Sequence, residues 1–139
     1  MTPAMPLPVI LLASASPRRS ELLRQVGVAH EVRPVDIDEA VQPGEAPSAY
    51  VLRLAEAKAA ELWNRLGPAE RRPVLAADTT VALEGEIFGK PADPAEARSM
   101  LSRLAGRTHE VHTAVALLHA GGAAARVSTS SVSLRALAP

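Results

Sequence analysis

Cysteine is absent from this sequence of 139 residues. Its absence excludes a disulfide framework and any chemistry that uses a thiolate. Aromatic residues are also scarce, since Tyr50, Trp63 and Phe88 are the only three, and so few rings argue against a base-stacking surface for nucleic acid. No apolar run is long enough to span a membrane, and the first residues lack the basic segment of a signal peptide. Together these absences predict a cytoplasmic protein with no membrane partner.

Excess charge of either sign is missing as well, because 15 basic residues balance 15 acidic ones. A neutral chain gives no electrostatic support for binding duplex nucleic acid. Hydrophobic residues make up 47% of the sequence, which is enough for a packed core. We therefore expect a single globular domain over residues 1–139.

Lysine is rare among the basic residues, since only Lys58 and Lys90 are not arginine. Lysine is a compact, mobile point charge that suits phosphate oxygens. Lys58 lies on the apolar stripe of a helix that Ser48 is expected to cap and that runs to about Leu66. A lysine in that position either extends to water or meets an anion, and the sequence leaves both interpretations open.

A serine-rich turn near the start of the chain predicts a strand followed by a helix. Ser16 is a suitable N-cap, and Pro17 then occupies the first helical position. Arg18 and Arg19 follow in a helical turn that normally favours acidic side chains. With the hydroxyl of Ser14 nearby, this turn is either a site for a multiply charged anion or a solvated arginine pair.

The rest of the chain alternates predicted strands and helices, which indicates an α/β fold with a sheet of mixed direction. An apolar strand is expected to end on Asp78-Thr79-Thr80, where open α/β sheets place their ligands, and Val81-Ala82-Leu83 is expected to continue as strand. The other predicted features are strands at 9–13, 28–35, 108–118 and 126–134, helices at 17–26 and 94–104, a hairpin turn at Glu84-Gly85 and an N-cap at Asp93.

Acidic side chains recur near the predicted strand ends, at Asp36, Asp38, Glu39 and Asp78. Carboxylates beside isolated cations fit a triphosphate that carries a divalent metal. The sequence has no Gly-x-x-x-x-Gly-Lys-Ser/Thr motif, which excludes a P-loop protein. His109 and His112 stand three apart in a predicted strand and point to opposite faces, so we assign them a structural or edge role.

Six motifs, in this order, resemble those of the Maf family, and the resemblance extends from Val9 to about Leu118. They are Ser14-Ala15-Ser16-Pro17-Arg18-Arg19-Ser20-Glu21-Leu22-Leu23, Asp38-Glu39, Ala57-Lys58-Ala59, Ala77-Asp78-Thr79, Gly89-Lys90-Pro91 and Gly106-Arg107-Thr108-His109-Glu110-Val111-His112-Thr113.

The resemblance implies a nucleoside triphosphate pyrophosphatase that uses Mg²⁺ or Mn²⁺. Its substrates would be dTTP and UTP, and also modified nucleotides, each cut to the nucleoside monophosphate and pyrophosphate. The implied fold is a mixed twisted sheet flanked by helices, with a central cleft, similar to that of inosine triphosphatases. Family members are often dimers, so a homodimer is also implied.

The resemblance also implies a role for each residue that matches a motif. Asp78 would be the general base or a metal-linked acid, and Glu39 would help to hold the metal. Phosphates would be bound by Ser14, Arg19, Lys58 and Lys90, with Ser16 in the same turn, and the base would be selected by Arg18 and Thr79.

Relative to the family, the chain is short, because nothing after about Leu118 matches the closing segment of its members. We expect either a truncation or a divergent short form. Two alternatives to the enzyme follow. One is a non-catalytic nucleotide-binding or regulatory protein linked to septum formation, and the other is a structural remnant that associates through an exposed sheet edge.

Overall fold

A computed structural model describes residues 9–89 and 91–136, so the predicted phosphate ligand Lys90 lies outside the described residues. Strands and helices alternate from the start, as the sequence predicts. The elements are β1 (Ile10–Leu12), α1 (Pro17–Gln25), β2 (His30–Val32), α2 (Pro47–Arg65), β3 (Val74–Leu83), β4 (Glu86–Phe88), α3 (Pro94–Leu104), β5 (Thr108–His119) and β6 (Gly122–Ser133).

Within the described residues the strands form one sheet in the order β2-β1-β3-β5-β6, and β4 also pairs with β3. β1 runs parallel to both β2 and β3, whereas the β3–β4, β3–β5 and β5–β6 pairs are antiparallel. The predicted α/β fold with a mixed sheet is therefore confirmed.

One edge of β3 contains a gap between its partners, and this gap positions the site. β1 pairs only with Val74 and Leu75, and β4 pairs only with residues 81–83. Between them, residues 76–80 have no strand partner on that edge in the part of the chain that is described. Asp78 lies inside the gap, in the middle of β3. The expected strand end at Asp78 is wrong, because antiparallel pairing with β5 continues past Asp78, which lies opposite Ala114. The expected strand over 81–83 is confirmed as the last part of β3.

The connections around β1 place the first two helices on opposite faces of the sheet. The crossover from β1 leads to β2 on one side, and the crossover from β2 leads back past β1 to β3. Because both crossovers join parallel strands and such crossovers are right-handed, α1 and α2 cover different faces. The carboxyl end of β1 is thus a switch point, where open sheets bind ligands.

The main core lies where α2 packs against β3 and β5. Apolar side chains recur along α2 at helical spacing, and small residues in both strands allow the helix to approach closely. The buried members include Val51, Leu54, Ala55, Ala59, Leu62, Val74, Ala76, Ala114 and Ala116. No helix in residues 9–89 and 91–136 has both the length and the apolar character needed to cross a membrane.

Side-chain capping explains where α1 and α3 begin. Ser16 accepts a hydrogen bond from the backbone N–H of Arg19, and Asp93 caps α3 through the N–H of Glu96 at 2.8 Å. The expected cap at Ser48 is wrong. α2 begins at Pro47 and its N-cap is Ala46, two residues before the expected cap, because the fixed φ and missing N–H of proline suit the first helical position.

The strand predictions were approximate at their ends. β2 is shorter than the predicted 28–35, and β6 begins at Gly122, before the predicted 126. Glu84 and Gly85 both have positive φ, as expected for a tight hairpin turn. His109 and His112 are buried in β5, which lies between β3 and β6. Their expected edge role is therefore wrong, although their interior position agrees with a structural one.

Two side chains of α2 hold the loop that precedes it, residues 33–46. Arg53 pairs with the carboxylate of Glu45 at 2.7 Å and donates to the Ala40 carbonyl at 2.9 Å. Tyr50 donates its hydroxyl proton to the Glu39 carbonyl at 2.5 Å. The hydrogen bond from Arg53, with help from the Gln42 backbone, lowers the pKa of Glu45 to about 2.

We expect Leu62→Ala to lower the free energy of unfolding by about 2–5 kcal/mol, because it leaves a cavity in the core. Leu62 is only 4% exposed in α2, whereas Leu101 is 53% exposed in α3. Leu101→Ala is therefore the matched control and should change stability by less than about 0.5 kcal/mol. Urea denaturation followed by circular dichroism measures both. Equal losses in the two variants would contradict this core.

We also expect the Glu45–Arg53 pair to make stability depend on pH. The pKa of Glu45 is lower in the folded chain than its ordinary value of 4.5. The pair should therefore stabilise the fold above about pH 4.5 and lose that contribution as the pH falls toward 2. Thermal unfolding of the wild type and of Glu45→Gln should differ at pH 7 and converge near pH 2. A constant difference at every pH would argue against the pair.

Candidate active site

The turn after β1 forms the first wall of the site. Its geometry is set by Ser14, whose hydroxyl accepts the backbone N–H of Ser16 at 3.1 Å. Ser16 in turn caps α1. Ser14 is 5% exposed and lines a cavity at this turn. The first turn of α1 contains no acidic residue, and this leaves the positive end of the helix dipole without a carboxylate.

Arg19 crosses from α1 to the gap in the sheet. Its guanidinium donates to the hydroxyl of Ser14 at 3.5 Å and to that of Thr79 at 3.3 Å. These partners in the described chain are hydroxyls and not carboxylates, so the positive charge remains available to an anion. Burial lowers the pKa of Arg19 below its ordinary value, while the charge of Asp78 acts in the opposite direction. An arginine remains charged in such a site.

Lys58 reaches the same gap from α2 and joins two carboxylates. Its ammonium lies 2.9 Å from Asp78 Oδ1 and 3.4 Å from Glu39 Oε1. The side chains of Lys58 and Asp78 are only 13% and 11% exposed, whereas that of Glu39 is 45% exposed. The lysine therefore meets anions within the protein and does not extend to water.

Asp78 and Thr79 are adjacent in β3 and point to opposite faces of the sheet. Lys58 of α2 bonds Asp78, and Arg19 of α1 bonds Thr79. These contacts agree with the placement of the two helices on different faces. The gap thus lets cations from both helices converge on two consecutive residues.

Two cavities meet at Glu39, which lines both of them. The first, which we call the polar cavity, has a volume of about 400 Å³. Its lining includes Ser14, Ser16, Arg19, Asp36, Glu39 and Lys58. The second, which we call the apolar cavity, has a volume of about 470 Å³. Its lining includes Tyr50, Leu54, Asp78, Thr79, Val81, Phe88 and Met100.

The structure brings together most of the residues that the sequence singled out, in and around the two cavities: Ser14, Ser16, Arg19, Asp36, Glu39, Lys58, Asp78 and Thr79. Arg18 is exposed and lines neither cavity. Asp38 accepts the backbone N–H of Ala40 at 3.0 Å and also lies outside both linings.

Several residues that support the site were not singled out from the sequence. Tyr50 and Arg53 hold the loop that carries Glu39, and Thr113 bonds Thr79 across the sheet at 3.1 Å. Tyr50, Leu54 and Lys58 are spaced four residues apart on α2, so the stripe that contains Lys58 was a usable signal. Burial and proximity to Asp78 and Glu39 raise the pKa of Tyr50, which keeps its hydroxyl protonated as a donor.

The arrangement places cations, hydroxyl donors and paired carboxylates around one opening. Cations and hydroxyls suit phosphate oxygens, and an adjacent carboxylate can orient or deprotonate a water molecule. The apolar cavity beside them is large enough for a flat heterocycle. The geometry therefore fits an organic phosphate whose phosphate groups and apolar part enter different cavities.

Comparison with known proteins gives a consistent result over nearly the whole chain. The family model described as "Maf-like protein" matches residues 9–139. A dTTP/UTP pyrophosphatase of Methylobacillus flagellatus is 52% identical over 128 residues, which cover 92% of this chain and 64% of that protein. The protein of the same name from Bordetella avium is 51% identical over 136 residues, which cover 94% of this chain and 68% of that protein. The dTTP/UTP pyrophosphatase of Anaeromyxobacter sp. is 50% identical over 123 residues, which cover 88% of this chain and 57% of that protein.

The chain thus spans between 57% and 68% of the length of these relatives. Among solved structures, the Ham1 protein of Staphylococcus aureus superposes with a TM-score of 0.56 at 16% identity. The match covers 89% of this chain and 70% of that one, and it supports the fold alone. The family resemblance in the motifs is confirmed by the family model and by the relatives: the chain belongs to the Maf-like protein family.

Proposed function

We propose that this chain carries the catalytic site of a nucleoside triphosphate pyrophosphatase that cleaves dTTP and UTP. The observation that carries the proposal is the contact of Lys58 with Asp78 and Glu39 where the two cavities meet. The names of the relatives at about 50% identity support the same reaction and the same substrates.

The polar cavity would receive the triphosphate. Ser14 and Ser16 offer hydroxyls, and Arg19 and Lys58 offer charge that neutralises the phosphate oxygens. Lys58 now bonds Asp78 and Glu39, so a triphosphate would compete with them for the ammonium. Lys90, predicted as a further phosphate ligand, follows Gly89, and both Gly89 and Pro91 line the apolar cavity.

Asp78 would act on the attacking water. In the reaction, water oxygen bonds to the α-phosphorus, the bond to the α–β bridging oxygen breaks, and pyrophosphate leaves with that oxygen. Asp78 accepts the proton that the water loses. Lys58 Nζ is 2.9 Å from Asp78 Oδ1, so the lysine holds the carboxylate in place until substrate arrives.

Glu39 and Asp78 would hold a divalent metal, Mg²⁺ or Mn²⁺, together with the phosphates. In the described residues no cluster of three or more acidic, histidine or cysteine side chains could hold a metal by itself. Mg²⁺ is commonly bound by one or two carboxylates plus substrate phosphates, so the carboxylate pair fits a metal that arrives with the nucleotide. When bound, the metal neutralises charge that develops on the phosphates and polarises them.

The apolar cavity would receive the base and sugar. Leu54, Phe88 and Met100 provide apolar contact, and Thr79 provides a polar group in the wall. Arg18 is proposed to take part in base selection only on the motif resemblance, because it lines neither cavity. A homodimer is proposed on the same basis, and a cytoplasmic location is proposed on the composition of the sequence.

Pyrophosphate release tests the proposal directly. The chain is incubated with dTTP, UTP and 7-methyl-GTP in the presence of Mg²⁺, and pyrophosphate and nucleoside monophosphate are quantified. We expect turnover of dTTP and UTP and a loss of turnover when EDTA is added. A folded chain that releases no pyrophosphate from any nucleotide would overturn the proposal. Thermal stabilisation by a nucleotide without product would instead indicate a non-catalytic binding protein.

Asp78→Asn should lower kcat by about 10²- to 10⁴-fold, because an amide cannot accept the proton. Binding of dTTP, measured by calorimetry, should be largely retained. Asp93→Asn is the matched control, since it makes the same chemical change at the N-cap of α3, where asparagine caps as well as aspartate. Unchanged turnover in Asp78→Asn, or an equal loss in the control, would remove Asp78 from the role of base.

A further inference from the structure

Three hydrogen bonds fix the backbone around Glu39, in the loop between β2 and α2. The Tyr50 hydroxyl donates to the Glu39 carbonyl at 2.5 Å. The guanidinium of Arg53 donates to the next carbonyl, that of Ala40, at 2.9 Å. The N–H of Ala40 donates to Asp38 Oδ1 at 3.0 Å. The direction of the first two bonds is certain, because a carbonyl oxygen only accepts, and both donors come from α2.

Arg53 is held in place by a bidentate ion pair and by an aromatic ring. Its Nε and Nη2 atoms donate to the two carboxylate oxygens of Glu45, at 2.7 Å and 2.9 Å. That carboxylate stays ionised near neutral pH, because its pKa is lowered to about 2. The guanidinium also lies 5.6 Å from the centre of the Tyr50 ring, within the range of a cation–π contact. The two donors to the loop therefore support each other.

The side chain of Glu39 is held less firmly than its backbone. Among the described residues its one ion-pair partner is Lys58, at 3.4 Å, and 45% of the Glu39 side chain is exposed. A triphosphate that draws the Lys58 ammonium to its own oxygens would remove this partner. The bonds from Tyr50 and Arg53 end on backbone carbonyls, so they do not depend on where Lys58 points.

We propose that Tyr50 and Arg53 are positioning residues, which hold Glu39 at the junction of the two cavities so that its carboxylate receives the divalent metal without reordering of the loop. Ordering a free backbone costs conformational entropy, and a loop that is already ordered binds its ligand without that cost. Arg53 lines neither cavity, so it acts only through the loop. This inference rests on the proposed function, and its test separates the two.

The test measures how much a divalent metal strengthens nucleotide binding. The probe is a dTTP analogue with a methylene group between the α and β phosphorus atoms, which this reaction cannot cleave. Calorimetry gives its Kd without Mn²⁺ and with Mn²⁺, and the ratio of the first value to the second reports the contribution of the metal. We expect Tyr50→Phe and Arg53→Gln each to lower this ratio by about tenfold or more, as is typical when a group that orients a metal ligand is removed. A general loss of structure would raise both Kd values and leave the ratio unchanged.

Arg65→Gln is the matched control for Arg53→Gln. Arg65 lies on the same helix and also forms an ion pair, with Glu61 at 2.7 Å, but it lines neither cavity. Its ratio should equal that of the wild type. Tyr50→Phe removes only a hydroxyl and keeps the buried ring, so it provides the same test if circular dichroism shows that Arg53→Gln does not fold.

Repeating the substitutions in a Glu39→Gln background identifies the group through which they act. Glu39→Gln should itself lower the ratio, because it removes a carboxylate that a hard cation prefers. If Tyr50 and Arg53 act through Glu39, neither substitution should lower the ratio further, because the effects of coupled residues do not add. Additive losses would show that they act independently of Glu39 and would overturn the inference.

The outcomes distinguish the two proposals. A wild-type ratio in both Tyr50→Phe and Arg53→Gln overturns the positioning role and leaves the proposed function intact. An affinity of the wild-type chain for the analogue that does not respond to Mn²⁺ overturns the metal role of Glu39 and, with it, this inference. Absence of pyrophosphate release from dTTP and UTP by the wild-type chain overturns the proposed function.

Discussion

The contact of Lys58 with Asp78 and Glu39 is the interaction on which the rest of the site depends. A mostly buried ammonium and carboxylate lose hydration, and that loss is offset only while the two charges remain paired with good geometry. α2 supplies the geometry by packing its apolar stripe on β3 and β5. The same helix holds the loop of Glu39 through Tyr50 and Arg53. Core packing and the position of the Lys58 contact therefore both depend on α2.

The sheet supplies the second constraint by leaving part of β3 without a partner on one edge. β1 pairs only with the first two residues of β3, and β4 pairs only with its last three. The backbone of β3 between these two segments therefore faces an opening and not another strand. The alternation of side chains then directs Asp78 and Thr79 to opposite faces, where helices from two crossovers meet them. A strand that continued beside β3 would fill the opening and separate Arg19 from Lys58.

Much of the local structure was predictable from the sequence, because it depends on short-range chemistry. Ser16 with Pro17 marked the start of α1, Asp93 marked that of α3, and Glu84-Gly85 marked the hairpin turn. The errors arose where a neighbour decided the outcome. Ser48 was a plausible cap until Pro47 took the first helical position. The polarity of Asp78 indicates a strand end, but pairing with β5 carries β3 past it.

The sequence by itself determined the family, the mixed α/β class and most of the residues around the two cavities, because short motifs and periodicity are written along the chain. Tertiary structure decided the rest. Whether Lys58 meets water or a carboxylate, whether Arg18 or Arg19 faces the opening, and whether Thr113 reaches Thr79 all depend on strand register and helix placement. Those contacts join residues that are 20 to 60 positions apart in the sequence. Such residues come into contact only when the sheet forms.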